Sequence, residues 1–124
     1  MIDAARRRAA WRRGLAAETV CVLWLRLLGY RIVARRLRTP VGEIDIVARR
    51  RDVLAVVEVK TRRDQSAAIR SVTRRQRRRL ERAAQWLAAG RPDLATLKIR
   101  FDLMVVAPWR APRHLIDAWR PEPD

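Results

Sequence analysis

The sequence predicts a mixed α/β fold with elements in the order αβββαβ, and a closing segment that reads as a short fifth strand or a cap. Three observations carry this. Two long stretches space their apolar residues at helical period, and between and after them lie short β-rich runs bounded by Gly, Pro and Asp. The length of 124 residues supports one core but not two. The chain reads as a single domain over 1–124, with a core of about 14–119, a basic N-terminal extension 1–13 and a frayed tail 120–124.

The first element is a helix from about Ala4 to Leu28, closed by Gly29 at a C′ position. Trp11, Leu15, Glu18, Val22 and Leu25 fall on one stripe of its wheel, so Glu18 is a carboxylate on the face expected to be buried. Glu18 and Arg26 interrupt the apolar run, and no small-residue cleavage site follows it. The helix therefore reads as amphipathic, neither signal peptide nor membrane span, in a cytoplasmic protein.

Tyr30–Arg38, Glu43–Arg49 and Val53–Thr61 read as an antiparallel meander, with "TPVG" and "RRD" as its connections. A long basic helix is expected from about Ser66 to Ala89, closed by Gly90 and Pro92. Its stripe is Ile69, Val72, Gln76, Leu80, Ala83 and Leu87, with Gln76 in the middle. Leu97–Ala107 reads as the fourth strand, stopped by Pro108, and His114–Trp119 as the closing segment. The tryptophans read as core or cap, with Trp109 and Trp119 the ones expected at the surface.

Lysine and arginine number 29 against 13 acids, for a net charge of +16. That excess calls for a polyanionic partner, and nucleic acid is the obvious one. Cys21 is the only cysteine and His114 the only histidine. An internal disulfide, a cysteine-based zinc site and a Ser-His-Asp triad are therefore poor candidates. Chemistry has to rest on carboxylates, lysine and metal.

Alternate strand residues share a face. Glu43 and Asp45 are expected on one side of the second strand, with Ile44 and Ile46 on the other. Glu58 and Lys60 share a face with Leu54 and Val56, opposite Val53, Ala55, Val57 and Val59. A hairpin of these strands brings Asp45 and Glu58 together at one end of the sheet, with Lys60 beside them. Clustered buried acids need an offsetting divalent cation, the Lys60 ammonium or a proton. From spacing alone, Glu58 and Lys60 read equally well as a strand-end ion pair, and Glu18 as the partner of a sheet arginine. The lysines are Lys60 and Lys98, in a chain that otherwise uses arginine, which sets Lys60 apart.

"GEIDIVA" (42–48) followed by "VVEVKTR" (56–62) resembles the YraN-like family of small, mostly uncharacterised bacterial proteins, within the PD-(D/E)xK superfamily. "GLAAE" with "LGYRIVAR", then "RRQRRRLERAAQWL", "RFDLMVVA" and "HLIDAW" agree with it, from about Gly14 to Trp119. The resemblance implies a restriction-endonuclease-like fold, close to Holliday-junction resolvases. It implies Mg²⁺ or Mn²⁺ held by Asp45, Glu58 and the Val59 carbonyl, with Lys60 catalytic. Glu18 and Glu43 would complete the shell, and Gln76 would orient a phosphate or water. The family pattern usually has Asn where this chain has Arg36, and Asn-Ala-aromatic where it has Asp117-Ala118-Trp119. The loop after Lys60 is also poor in glycine.

The function expected is metal-dependent hydrolysis of DNA phosphodiester bonds, in branched DNA among other forms. Arg62, Arg70, Arg74, Arg75, Arg77 and Arg78 would track the backbone. DNA is expected over RNA as partner, and cutting paired strands would favour a homodimer. The alternative is a non-catalytic nucleic-acid-binding module on the same fold.

Overall fold

In the computed structural model, residues 2–123 are described, and the side chain of Trp11, expected in the buried stripe, lies outside the described set. The elements are α1 (Ile2–Leu27), β1 (Arg31–Thr39), β2 (Gly42–Arg50), β3 (Val53–Thr61), α2 (Gln65–Ser71), α3 (Arg74–Gly90), β4 (Lys98–Val106) and β5 (Arg113–Trp119). The strands form one mixed sheet in the order β1-β2-β3-β4-β5. All neighbours are antiparallel except β3 and β4, which α2 and α3 connect as a crossover.

Helix α1 stops in a Schellman arrangement. Gly29 N–H donates to Arg26 O and Tyr30 N–H to Leu25 O, with Gly29 at φ 90°. At the β1–β2 turn Gly42 holds φ 153°, and a Cβ there would lie 2.6 Å from Arg79 Cγ of α3. A side chain at 42 would have to displace the Arg79 side chain and take up a strained φ.

The sheet is covered on both faces. Cys21, Val22 and Leu25 of α1 pack on Ile46, Ala48, Ala55, Val57 and Met104. Val72 and Leu80, Ala83, Ala84 and Leu87 of α3 pack with Ala68 of α2 on Ile44, Val47, Leu54, Val56, Phe101, Leu103 and Val105. Burying each large apolar side chain contributes roughly 1.5–3 kcal/mol, and these contacts hold the layers together.

The structure corrects the sequence reading at several points. The single helix expected over Ser66–Ala89 is two helices, because Val72 and Thr73 adopt extended backbone and Thr73 caps α3. Ile69 is consequently half exposed, off the stripe that buries Val72 and Leu80. Ile44 and Ile46 do not share a face. Ile44 packs under α3 and Ile46 under α1, because β2 leaves its ladder with β3 before Ile46. Trp119 is buried, stacked on Phe101 with ring centroids 5.4 Å apart, instead of exposed.

Candidate active site

The β2–β3 ladder ends at the pair Ile46↔Val57. Asp45 fills the gap that opens there: its Oδ2 accepts the Val59 N–H at 2.8 Å, a bond that a strand carbonyl would otherwise take. A carboxylate is thus wedged between two separating strands. On the α3 side, Glu58 follows the alternation of Leu54 and Val56. Lys60 Nζ lies 3.4 Å from Glu58 Oε1, and both side chains are largely buried, at 14% and 16% exposure.

Electrostatics single out this pair of acids. Burial pushes Glu58 up to about 7, the Asp45 charge adds to it, and Lys60 offsets only part. Asp45 is also raised, first by burial and then by Glu43, against the Val59 N–H and Lys60. The interaction between the two carboxyls raises Glu58 and lowers Asp45, so the two acids are electrostatically linked.

On the α1 side a cleft of about 240 Å³ is lined by Gly14, Leu15, Ala17, Glu18, Arg36, Glu43, Asp45, Val59 and Thr61. Glu18 is buried there. Arg35 Nε donates to its Oε1 at 3.2 Å, and Arg36 Nε lies 3.7 Å from its Oε2. Burial raises the Glu18 carboxyl in spite of these arginines. Glu43 is exposed, 4.0 Å from Arg38 Nε. The structure therefore brings Glu18, Glu43, Asp45 and Val59 to one cleft, with Glu58 and Lys60 across the strand.

Among the described residues, no group of three or more His, Cys, Asp or Glu side chains is gathered to hold a metal ion. Asp45 and Glu58 are the two carboxylates that could hold one. Mg²⁺ takes few protein carboxylates and keeps several waters, so hard oxygens with an excess of negative charge suit it. The raised Glu58 registers that excess.

Gln76 has another engagement. Its Oε1 accepts the Thr73 N–H at 3.3 Å, while Gln76 N–H donates to Thr73 Oγ1 at 3.2 Å, a capping box at the start of α3. It does not line the cleft. Of the arginines, Arg62, Arg70, Arg74, Arg75 and Arg78 are exposed and Arg77 is half-buried. Arg62 Nη1 donates to Thr61 O and Arg77 Nε to Val72 O. Arg74, Arg75, Arg78, Arg79 and Arg82 line one groove with Val41, and Arg74 also meets Glu122 at 2.8 Å.

Sequence reasoning missed a second polar cluster. Asp102 is fully buried in β4. It accepts from Arg100 Nε and Nη2 at 2.8 and 2.7 Å and from the Asp117 N–H at 3.0 Å, and His114 Nε2 lies 2.7 Å away. Arg100 Nη2 also donates to Tyr30 Oη at 2.7 Å. Burial works to raise the Asp102 carboxyl, but the bonds from His114, Arg100 and Asp117 hold it below the usual carboxylate range. The signal was an Asp inside the apolar run "FDLMVV", which needs partners wherever it is buried.

The family model described as "Uncharacterised protein family UPF0102" matches residues 17–106. A UPF0102 protein of Parvibaculum lavamentivorans is 59% identical over 113 residues, covering 91% of this chain and 85% of that protein. One from Caulobacter sp. (strain K31) is 52% identical, covering 93% of this chain and 83% of its own length. One from Nitrobacter winogradskyi is 54% identical, covering 90% and 94%.

Proposed function

The chain belongs to the UPF0102 family, and on that premise we propose that it is a divalent-cation-dependent nuclease hydrolysing phosphodiester bonds in DNA. The observation that carries this is the Asp45–Glu58 pair, wedged at the end of the sheet through the Val59 N–H and set 3.4 Å from Lys60 through Glu58, with both carboxyls raised by burial. A structural ion pair needs one acid and one base. Here a second, partly buried acid is added, and it makes the site short of positive charge. The element order and the placement of these residues also support a restriction-endonuclease-like reading of the sheet.

In this reading Asp45, Glu58 and the Val59 carbonyl hold Mg²⁺ or Mn²⁺. The cation, when bound, polarises the phosphate and lowers the pKa of a coordinated water. Lys60 holds a point charge against the scissile phosphate, which a bulkier guanidinium would crowd. Glu18, fixed by Arg35 and Arg36, and Glu43 line the neighbouring cleft and orient water there. Gln76, closing the cap of α3, orients a phosphate approaching that helix. The exposed arginines of α2 and α3, with Arg62, bind the DNA backbone. DNA as substrate places the protein in the cytoplasm, and a homodimer would present two such sites to paired strands. No helix among the described residues is long and apolar enough to cross a membrane.

The experiment is cleavage of labelled duplex, flap and four-way DNA with Mg²⁺ or Mn²⁺. Wild type is expected to cut at least one of these, and Glu58→Gln and Lys60→Arg to lose at least a hundredfold while still binding DNA. Cleavage that survives both substitutions removes this mechanism. Salt-sensitive binding of DNA that is indifferent to metal and to Lys60→Arg, with no cleavage, would replace it with a binding module on the same fold.

A further inference from the structure

Among the described residues Trp109 is the large hydrophobic side chain that the fold leaves entirely in solvent, at 101% exposure. It stands in the β4–β5 connection at φ 63°, a left-handed conformation that bulky side chains rarely adopt. A shallow hollow there is lined by Arg63, Ala107, Pro108, Trp109 and Arg110. Neither core packing nor the turn itself accounts for an indole in this place. A small or polar residue would take the turn at less cost and expose no apolar surface.

Its position relative to the candidate site is fixed by the parallel register of β3 and β4. Lys60 lies beside Val105 and Thr61 beside Val106. Arg62 N–H then donates to Val106 O at 3.1 Å, which carries the pairing to the base of the loop. Trp109 follows Val106 by three residues, the last two of them in a turn, so it lies within roughly 10 Å of the level of Thr61. That is within about three nucleotide steps at the B-form rise of ~3.4 Å per strand step. A flat aromatic face between guanidinium groups is the arrangement that binds unpaired bases: the ring stacks a base and the cations hold the adjoining phosphates.

We propose that Trp109, flanked by Arg63 and Arg110, is a stacking platform for an unpaired nucleobase of a nucleic-acid strand running past the Asp45–Glu58–Lys60 site. This rests on the nucleic-acid reading above and narrows it. The preferred ligand is single-stranded or locally unpaired, because in an intact duplex the base faces are covered by their neighbours. The platform reads no sequence, since every base offers a π-face.

The test compares wild type, Trp109→Ala and Trp109→Phe for binding to a labelled single-stranded oligonucleotide and a duplex of the same length. Fluorescence anisotropy at one fixed salt concentration gives the affinities, without added metal. Trp109→Ala is expected to weaken single-strand binding about tenfold and duplex binding less than twofold. Trp109→Phe should keep most of the single-strand affinity, because a ring remains to stack. Equal losses on both ligands, or no loss on either, overturn the platform while leaving the nucleic-acid reading standing. Failure of wild type to bind either ligand overturns both. A change of oligomeric state in Trp109→Ala by light scattering, with nucleic-acid affinity unaltered, would make the indole a protein contact and also overturn the proposal.

Discussion

Glu58 holds a proton at pH values where an ordinary glutamate has lost it. Between about pH 4.5 and 7 the folded state therefore binds more protons here than the unfolded chain. The stabilisation from this group is complete below its unfolded pKa and is lost as pH rises through its folded one. A shift from 4.5 to about 7 corresponds to about 3 kcal/mol. Metal-free protein should lose thermal stability across that window. Glu58→Gln, which cannot ionise, should flatten the decline, as differential scanning calorimetry at several pH values would show. An unchanged decline would mean that Glu58 is an ordinary acid. Arg36 and Asp117 pose a different residue-scale question. Both hold left-handed backbone, at φ 50° and 56°, and both are places where the pattern that the sequence resembles usually has Asn, the residue that tolerates this conformation best after glycine. Arg36→Asn should relieve roughly 1 kcal/mol of strain. Among the contacts it gives up is a 3.7 Å approach to Glu18, which keeps Arg35. A rise in Tm of roughly 2–4 °C is expected, and a fall of that size would show that Arg36 matters more to Glu18 than to the turn.

At the scale of elements, the break between α2 and α3 depends on one cap. Thr73→Ala removes an acceptor for a helix N–H and should cost about 1 kcal/mol, read as a lower chemical-denaturation midpoint. Gln76→Ala should cost a similar amount. If Gln76 also serves catalysis, its substitution lowers cleavage where Thr73→Ala does not. Strand β5 depends on Asp102. Asp102→Asn leaves Arg100 and His114 facing a neutral group and should destabilise by roughly 3–5 kcal/mol, with loss of amide-exchange protection in Arg113–Trp119 first. These elements also show what a sequence yields. The strands were legible because Gly, Pro and Asp bound apolar runs of the right length. The helix break was written in Thr73-Arg74-Arg75-Gln76, a capping-box signature, but the apolar stripe continues through it and hides it. Asp45 was legible as an acid near Glu58. Its wedge between the strands was not, because alternation assumes an unbroken ladder. The Asp102 cluster joins Tyr30, Arg100 and His114 across the chain, and no local pattern announces it.

At the scale of the whole molecule, charge and site are separate devices. Part of the net charge of +16 is presented by α3, whose Arg74, Arg75, Arg78, Arg79 and Arg82 line one groove. The Asp45–Glu58 pair is by contrast locally acidic. A polyanion would be drawn to the first and held away from the second until a cation neutralises it. DNA affinity should fall steeply with salt, and Arg75→Glu with Arg78→Glu should both weaken binding and flatten that dependence. Asp45→Asn should leave it unchanged without metal.

The central claim is that a divalent cation takes the place of the proton that the raised Glu58 carboxyl retains beside Asp45. Calorimetric titration of Mn²⁺ at pH 6, in buffers of different ionisation enthalpy, measures the cation bound and the protons released together. Wild type should bind and release close to one proton, and Glu58→Gln should bind more weakly and release essentially none. Binding with no proton release, or with the same release in Glu58→Gln, would contradict the claim, as would failure of wild type to bind at all.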